Sequence, residues 1–315
     1  MPLEIKVVEE NSSPTTFNPP KIYSISQLDC YISCPAKYKY RYIERIPSPT
    51  SASLEFGNSV HRGLEHNFHQ KTFSWADLSA NEVSDKFVES YEPSKDKINW
   101  DEENRDKTDK DKISFVSERD KGVALLRTYM NDGYTKTIIP SRVEHKFEVP
   151  VPGVSKPLQG YIDLVDNKLL LIDFKTASKS PTEAKLGPYH RQLCGYSYAL
   201  LKLKQMRHDL SEVEINALNK MPFFKARLDF LIKTKTPKIV IVDTFKIGLE
   251  EIKRFVSMLQ EMDKSINANL FPRNSTSYLC NKKYCNYWDK CHNDQIENID
   301  LEVDKSGRLF RKPKS

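Results

Sequence analysis

The chain has 315 residues, of which 38% are hydrophobic, so it is long enough for one large domain or two small ones with a real core. Its 49 lysines and arginines exceed its 43 aspartates and glutamates, and the net charge of +6 fits an anionic partner without demanding one. No apolar run approaches the roughly 20 residues of a membrane span, and no charged segment followed by an apolar one opens the sequence, which argues against a membrane protein and a secreted one.

We therefore expect a cytoplasmic protein from a prokaryotic or viral intracellular setting. Residues 1–21 are rich in proline, serine and threonine and predict a flexible tail. Residues 24–46 predict a helix in which tyrosines alternate with lysines and arginines, with Ser24 or Ser26 as its N-cap. A second helix is predicted from an apolar stripe that consists of Phe56, Val60, Leu64 and Phe68.

The central part of the chain predicts a mixed sheet covered by helices, an α/β or α+β architecture. Residues 84–121 are dense in charge and predict a solvated helix or a mobile insertion. The remaining predicted elements, in chain order, are a helix over 122–130, strands over 143–149, 158–165 and 169–176 that form a meander, a helix over 182–204, strands over 226–234 and 238–247, a long amphipathic helix over 249–266, and a basic tail over 296–315 without regular structure.

Two aspartates and a lysine converge on the predicted meander. Asp173 and Lys175 are two residues apart on a strand that the apolar run before them marks as buried, so both side chains leave the same face. Asp163 lies on the preceding strand of the hairpin. Two carboxylates and an ammonium can hold a divalent cation and a phosphate, which is the apparatus of metal-dependent phosphodiester hydrolysis. The alternative is a structural ion pair between Asp173 and Lys175.

A second constellation consists of cysteines. Cys280, Cys285 and Cys291 fall within twelve positions of a segment with few apolar residues, which needs a ligand to order it. In an intracellular protein, cysteines favour a metal centre over disulfides. The fourth thiolate must come from elsewhere, and the cysteine count fits a 4Fe–4S cluster or Zn²⁺. Cys194 lies among apolar neighbours and is interpreted as a core residue.

Five segments in order resemble the RecB-like branch of the PD-(D/E)xK nuclease superfamily, and the resemblance covers about residues 22–292. The layout is similar to the iron–sulfur nucleases of the AddB and CRISPR-associated RecB-like kind. The segments are Ser24-x-Ser26 with Cys34-Pro35-x-x-Tyr38, Gly57-x-x-x-His61-x-x-x-Glu65, Gly160-x-x-Asp163 with Asp173-Phe174-Lys175, Gln192-x-x-x-Tyr196, and the three C-terminal cysteines.

The sequence departs from the family pattern in three places. Ile162 replaces the proline and Asp173 the glutamate of the family name, and both are common variants. Four residues separate Cys280 from Cys285 where the family usually has two, which leaves the cluster geometry open. The resemblance implies a restriction-endonuclease-like core with flanking helices, a single domain over 22–295, and a C-terminal segment at 271–295 held by the cysteine-bound metal.

The resemblance also implies roles for individual residues. Asp163, Asp173, His61 and the carbonyl of Phe174 would bind Mg²⁺ or Mn²⁺. Lys175 would stabilise charge on the scissile phosphate and help to orient or deprotonate the attacking water. Gln192 and Tyr196 would position water or a DNA strand. Glu65 would support His61, and Glu144 would have a structural role. Cys34 would complete the cluster with Cys280, Cys285 and Cys291, and Cys30 is the candidate to replace Cys34 as the fourth ligand.

The expected activity is that of a DNA exonuclease on single-stranded or frayed ends, in DNA repair or recombination, with a helicase, recombination or CRISPR-type partner. The alternatives are a DNA-end-binding component that does not cleave and a nuclease directed at RNA. Clusters of basic residues would provide the nucleic-acid surface. They are the aromatic and basic segment 37–45, the group Lys179, Lys185 and Arg191, and the group Lys233, Lys235 and Lys238.

Overall fold

The structure is a computed structural model that describes residues 17–297, 301–303 and 309–311. The chain divides into two compact units. The larger unit comprises 22–29 and 49–264, and the smaller one comprises, among the described residues, chiefly 30–48 and 265–297. Both units contain residues of the single domain predicted over 22–295.

Eleven α-helices are found in the described part of the chain. They are α1 (Ile25–Ser33), α2 (Pro35–Tyr38), α3 (Ala52–Ser74), α4 (Ala80–Tyr91), α5 (Ser94–Lys97), α6 (Trp100–Asn104), α7 (Phe115–Asn131), α8 (Gly187–Met206), α9 (Glu212–Lys220), α10 (Leu249–Asn267) and α11 (Trp288–Glu297). A π-helical segment at Lys39–Ile43 follows α2, and short 3-10 helices occur at Thr135–Thr137 and Glu183–Lys185.

A five-stranded mixed sheet forms the centre of the larger unit. Its strands are β1 (Pro140–Val149), β2 (Leu158–Asp166), β3 (Leu171–Ala177), β4 (Phe224–Ile232) and β5 (Lys238–Ile247). They follow the order β1-β2-β3-β4-β5, and only the β3–β4 pair is parallel. The predicted meander and the predicted mixed α/β architecture are therefore confirmed.

Helix α3 packs on this sheet through the predicted apolar stripe. Phe56, Val60, Leu64 and Phe68 are all fully buried, and they share one hydrophobic cluster with Ile172 and Phe174 of β3. The helix begins at a serine cap, since the Ser51 side chain accepts a hydrogen bond from the Leu54 amide at 3.2 Å. Burial of four large apolar side chains holds α3 against the strand that carries Asp173 and Lys175.

The predicted helix over 24–46 is broken into three pieces. Ser24 accepts a hydrogen bond from the Gln27 amide at 3.2 Å, as expected of the cap of α1. Cys34 has an extended backbone with φ −163°, and Pro35 then begins α2. Proline at the first helical position disfavours a helical conformation for the residue before it, which accounts for the break at Cys34.

The segment 84–121, predicted as a solvated helix or a mobile insertion, is largely helical and contributes buried residues to the core. The segment contains most of α4, all of α5 and α6, and the beginning of α7. Phe87 and Tyr91 are fully buried and pack against Phe56 with ring centroids 5.7 and 6.2 Å away. Charged residues on the exposed faces dominate the sequence of this segment, so the apolar residues spaced by four positions were not recognised as a buried stripe.

Other boundaries differ by a few residues, and one helix was missed. Helix α8 begins at Gly187 rather than at 182, and α9 has no counterpart in the prediction. Leu249 is exposed at the start of α10, whereas the other predicted apolar positions of that helix are buried. Within the predicted tail, two short strands pair with each other, β6 (Leu301–Val303) and β7 (Leu309–Arg311). The rest of that tail beyond α11, and residues 1–16, lie outside the described residues.

The smaller unit is held together by contacts between segments that are distant in sequence. The Ala36 amide donates to the Pro272 carbonyl at 3.3 Å, and the Asn274 side chain donates to the Ser33 carbonyl at 3.0 Å. Tyr287 is buried against Tyr40. Among the helices that the structure describes, none is both long and apolar enough to cross a membrane.

Candidate active site

The site lies where strands β2 and β3 separate. Their backbone pairing is confined to Leu164 with Ile172 and Val165 with Leu171. Just beyond it, Oδ2 of Asp163 accepts a hydrogen bond from the Phe174 amide at 2.9 Å. The Asp163 side chain thus occupies the gap between the two strands, where it is 9% exposed. A charged group this buried requires a cation or further donors nearby.

Helix α3 brings His61 to this gap. Its Nδ1 atom lies 3.4 Å from Oδ2 of Asp163, and its ring meets the ring of Phe174 edge-on at 6.2 Å. One helical turn earlier, a Cβ atom at Gly57 would come within 3.3 Å of the Thr176 hydroxyl. The glycine therefore permits the close approach of α3 to β3, and this gives the predicted Gly57-x-x-x-His61 spacing a structural reason.

Glu144 completes a group with His61 and Asp163, although the sequence predicted only a structural role for it. One ligand atom from each of these three residues lies within 4.8 Å of the others. Glu144 stands on β1 opposite Asp163, between the pairs Val143–Leu164 and His145–Ile162. Its φ angle is 45°, a left-handed conformation that costs a residue with a Cβ atom roughly 1–2 kcal/mol. Such strain is concentrated at functional sites in proteins.

The electrostatics of the group favour a cation. Burial and then the charges of Asp163 and Glu65 raise the pKa of Glu144 to about 7. Neighbouring carboxylates that repel one another in this way are stabilised together by a divalent cation. An imidazole nitrogen and carboxylate oxygens are suitable ligands for Mn²⁺ or Mg²⁺. The residues present therefore fit the metal that the sequence predicts.

Asp173 is outside this three-residue group and pairs with Lys175 instead. Asp173 is fully buried, and its Oδ2 atom lies 2.6 Å from Nζ of Lys175. Burial raises the pKa of Asp173, Lys175 lowers it and Asp163 raises it again, with a rise as the net result. Burial alone would lower the pKa of Lys175, but the charges of Asp173 and Asp163 raise it. The pair thus lies next to the metal group without being part of it.

Gln192 and Tyr196 reach the site through Asp173. The Tyr196 hydroxyl lies 3.4 Å from Oδ1 of Asp173, and the Gln192 amide donates to the Tyr196 hydroxyl at 2.6 Å. Tyr196 is 4% exposed, so its hydroxyl contacts Asp173 from within the protein. Glu65 accepts a hydrogen bond from Arg62 at 2.6 Å and lines the same cavity as His61. Its expected support of His61 stays a prediction.

The metal group opens into a cavity of about 550 Å³. Asp163, Glu144 and Lys175 reach it from the sheet, and His61 and Arg62 reach it from α3. Phe174, whose carbonyl the resemblance assigned to the metal, also lines it. A phosphate in this cavity would meet the metal group and an ammonium together, which is the arrangement that phosphodiester hydrolysis needs.

The predicted nucleic-acid clusters are only partly available for binding. Tyr38 and Tyr40 are buried, so they cannot stack on bases as the sequence led us to expect. Lys233 is paired with the buried Glu118 at 2.9 Å and lies over the ring of Phe56. Arg191 is paired with Asp29 at 2.6 Å. These contacts give Lys233 and Arg191 local structural partners.

The smaller unit contains a cavity of about 230 Å³ that four cysteines line. They are Cys34, Cys280, Cys285 and Cys291, the four residues predicted from the sequence. All are free thiols. Burial and then the charges of Cys34, Cys291 and Cys285 raise the pKa of Cys280. Cys30 does not line the cavity, although it lies near Cys34 and Cys285.

Comparison with known proteins identifies one family. The sequence profile of the PD-(D/E)XK nuclease superfamily matches residues 22–292. No curated protein matches the chain. Of solved structures, a protein from Eubacterium rectale described as a candidate exonuclease is 11% identical with a TM-score of 0.49, covering 99% of this chain and 97% of its own. The protein SSO0001 is 13% identical with a TM-score of 0.37, covering 86% and 85% respectively.

Proposed function

Because the chain belongs to the PD-(D/E)XK nuclease superfamily, we propose that it is a metal-dependent DNA nuclease of the RecB-like branch, which acts as an exonuclease on single-stranded or frayed ends. The observation that carries this proposal is the group of His61, Glu144 and Asp163 beside Lys175 in one cavity. The metal ligands that phosphodiester hydrolysis requires are present, and so is a lysine ammonium to face the phosphate. This completeness favours an enzyme over a DNA-end-binding protein that does not cleave.

The residues would divide the work as follows. His61, Glu144 and Asp163 would hold Mg²⁺ or Mn²⁺, with Asp173 as a further carboxylate beside them. The bound cation supplies Lewis-acid stabilisation of the phosphate and lowers the pKa of a water molecule. Lys175 places its ammonium where negative charge develops on the phosphate. The Phe174 amide fixes Asp163 by its hydrogen bond, and Tyr196 restrains Asp173.

For the cysteine cavity we propose a structural 4Fe–4S cluster bound by Cys34, Cys280, Cys285 and Cys291. The four cysteines line one cavity, and four thiolates are the ligand set of a 4Fe–4S cluster. The resemblance favours this cluster, and a tetrahedral Zn²⁺ ion bound by the same thiolates is the alternative.

The experiment for the nuclease proposal is incubation of the purified protein with end-labelled single-stranded and duplex DNA, with Mn²⁺, Mg²⁺ or chelator. We expect metal-dependent shortening of the single strand that Asp163→Asn abolishes. Asp132→Asn is the matched control, because it makes the same chemical change at the end of α7, outside the site. Equal degradation by wild type and Asp163→Asn would refute the assignment. If end-labelled RNA is added as a competing substrate and only the RNA is degraded, RNA replaces DNA as the proposed substrate.

A further inference from the structure

An exposed tyrosine, Tyr161, lies two residues before Asp163 on β2 and therefore close to the metal group. Tyr161 stands directly opposite Lys146, and the next position along the same face brings Glu144 opposite Asp163. Tyr161 is 51% exposed, and Lys146 is exposed as well. The side chains of Tyr161 and Lys146 thus project from neighbouring positions of the sheet, next to the carboxylates that would hold the metal.

A second cation approaches this pair from α3. Arg62 follows His61 in the sequence, and its guanidinium is bonded to Glu65 at 2.6 Å while its side chain is 61% exposed. Arg62 lines the same cavity as Glu144 and Asp163, so it lies on the α3 side of the metal group. Tyr161, Lys146 and Arg62 are hereafter called the tyrosine shelf.

A half-exposed tyrosine alone is ordinary on a protein surface. The shelf differs because its ring has a cation directly across the ladder and another on the facing helix, at the mouth of a hydrolytic site. Proteins that bind single-stranded nucleic acid use this combination, in which aromatic rings stack on bases while lysine and arginine contact phosphates. Inside a duplex both faces of a base are covered by its neighbours, and at a blunt end only the outer face of the last base pair is free, whereas an unpaired base can turn either face onto a side chain.

We propose that Tyr161 stacks on the base next to the scissile phosphate, while Lys146 and Arg62 contact the neighbouring phosphates, and that the shelf selects unpaired DNA ends. This inference rests on the proposed nuclease function and adds to it a specificity-determining residue. A blunt end offers only the outer face of its last base pair, whereas a single strand can turn any of its bases onto the shelf, so a single strand binds better than a blunt duplex.

The test compares Tyr161→Leu, which removes the ring, with Tyr161→Phe, which keeps it. Tyr134→Leu is the matched control, because Tyr134 is 41% exposed and lies outside the site. Loss of one base–aromatic stack raises KM for a short single strand roughly tenfold or more. We expect this rise in Tyr161→Leu, near-normal KM in Tyr161→Phe, and no change in Tyr134→Leu.

Binding is measured separately from cleavage, with Ca²⁺ in place of the active metal and 2-aminopurine as the terminal base of the DNA. Stacking on Tyr161 quenches the fluorescence of 2-aminopurine, so wild type and Tyr161→Phe quench it and Tyr161→Leu does not. Lys146→Ala provides a second variant and lowers the salt dependence of binding by about one phosphate contact. Equal quenching by wild type and Tyr161→Leu overturns the inference, as does equal quenching of single-stranded and blunt duplex ends.

The two proposals fail in different ways. If wild type cleaves DNA with metal and Tyr161→Leu has an unchanged KM, the tyrosine shelf is wrong and the nuclease assignment stands. If wild type quenches the terminal base but never cleaves with any metal, the nuclease assignment is wrong, and the proposed selection of a cleavage substrate falls with it.

Discussion

The carboxylate of Asp173 and the ammonium of Lys175 lie 2.6 Å apart on alternate positions of β3, and the carboxylate is fully buried. Asp163 lies across the gap from this pair and faces His61 instead. The two aspartates of the predicted site therefore have different partners. One is bonded to a cation of the same strand, and the other belongs to a group with Glu144 and His61.

The pair makes Lys175 important for stability as well as for activity. Lys175→Met leaves the Asp173 carboxylate buried without its cation, and we expect a loss of about 3 kcal/mol in the free energy of unfolding. The double variant Asp173→Asn with Lys175→Met recovers most of this loss, because no buried charge remains. Urea unfolding measures the stabilities, and DNA degradation should be absent from both variants. Wild-type stability in Lys175→Met would contradict this account.

Glu144→Gln should separate metal binding from folding. The substitution removes a carboxylate that is crowded by Asp163 and Glu65, so the metal-free variant is expected to be at least as stable as wild type. It also removes a ligand, and Mn²⁺ affinity should fall at least about tenfold. Glu148→Gln is the matched control, since Glu148 lies on the same strand, exposed, with its side chain bonded to Gln159. Equal Mn²⁺ affinity in both variants would return Glu144 to a structural role.

The cysteine variants test the cluster and its fourth ligand. Protein purified without oxygen should be brown and contain roughly four irons per chain. Cys34→Ser should lower both iron content and thermal stability. Cys30→Ser should keep its iron, as should Cys194→Ser, whose thiol is buried in the larger unit. Stoichiometric zinc without iron would mean that the four cysteines bind zinc instead of the cluster. If Cys30→Ser lost its iron and Cys34→Ser did not, the fourth ligand would be Cys30 rather than Cys34.

Glu214, which is not part of the metal group, makes the stability of the fold depend on pH. Burial alone would raise its pKa, but hydrogen bonds from Arg142 and Ser211 lower it from 4.5 to about 2. A lowered carboxyl pKa stabilises the fold above pH 4.5, and this contribution is lost as the pH falls towards 2. Its size is on the order of 2–3 kcal/mol. Glu214→Gln should therefore be less stable than wild type at about pH 6, and the difference should shrink at about pH 3. A constant difference in urea unfolding would exclude this ionic contribution.

Sequence patterns predicted the parts of the fold that depend on apolar periodicity. The stripe from Phe56 to Phe68 and the alternating strands of the meander are visible because one face of each element is buried. The packing of 84–121 against the core was not predicted, because its exposed charges outnumber buried residues such as Phe87 and Tyr91. Helix α9 was missed, although its serine cap at Ser211 was a signal that could have revealed it.

The candidate site was partly predictable for a similar reason. The sequence motifs predicted His61, Asp163 and Lys175 as site residues, and the structure places all three around one cavity. Glu144 was undervalued because its position depends on a left-handed backbone within a strand, which regular alternation does not reveal. The burial of Tyr38 and Tyr40 was also hidden, since residues 37–45 have a basic composition that suggests an exposed surface.

The most direct test of the account is equilibrium Mn²⁺ binding, followed by electron paramagnetic resonance, in wild type and in the variants His61→Ala, Glu144→Gln and Asp163→Asn. We predict saturable binding by wild type, a loss of at least about tenfold in affinity for each variant, and a parallel loss of DNA degradation. Undiminished Mn²⁺ affinity in all three variants, or DNA degradation by wild type that persists in excess chelator, would contradict a catalytic cation held by these residues.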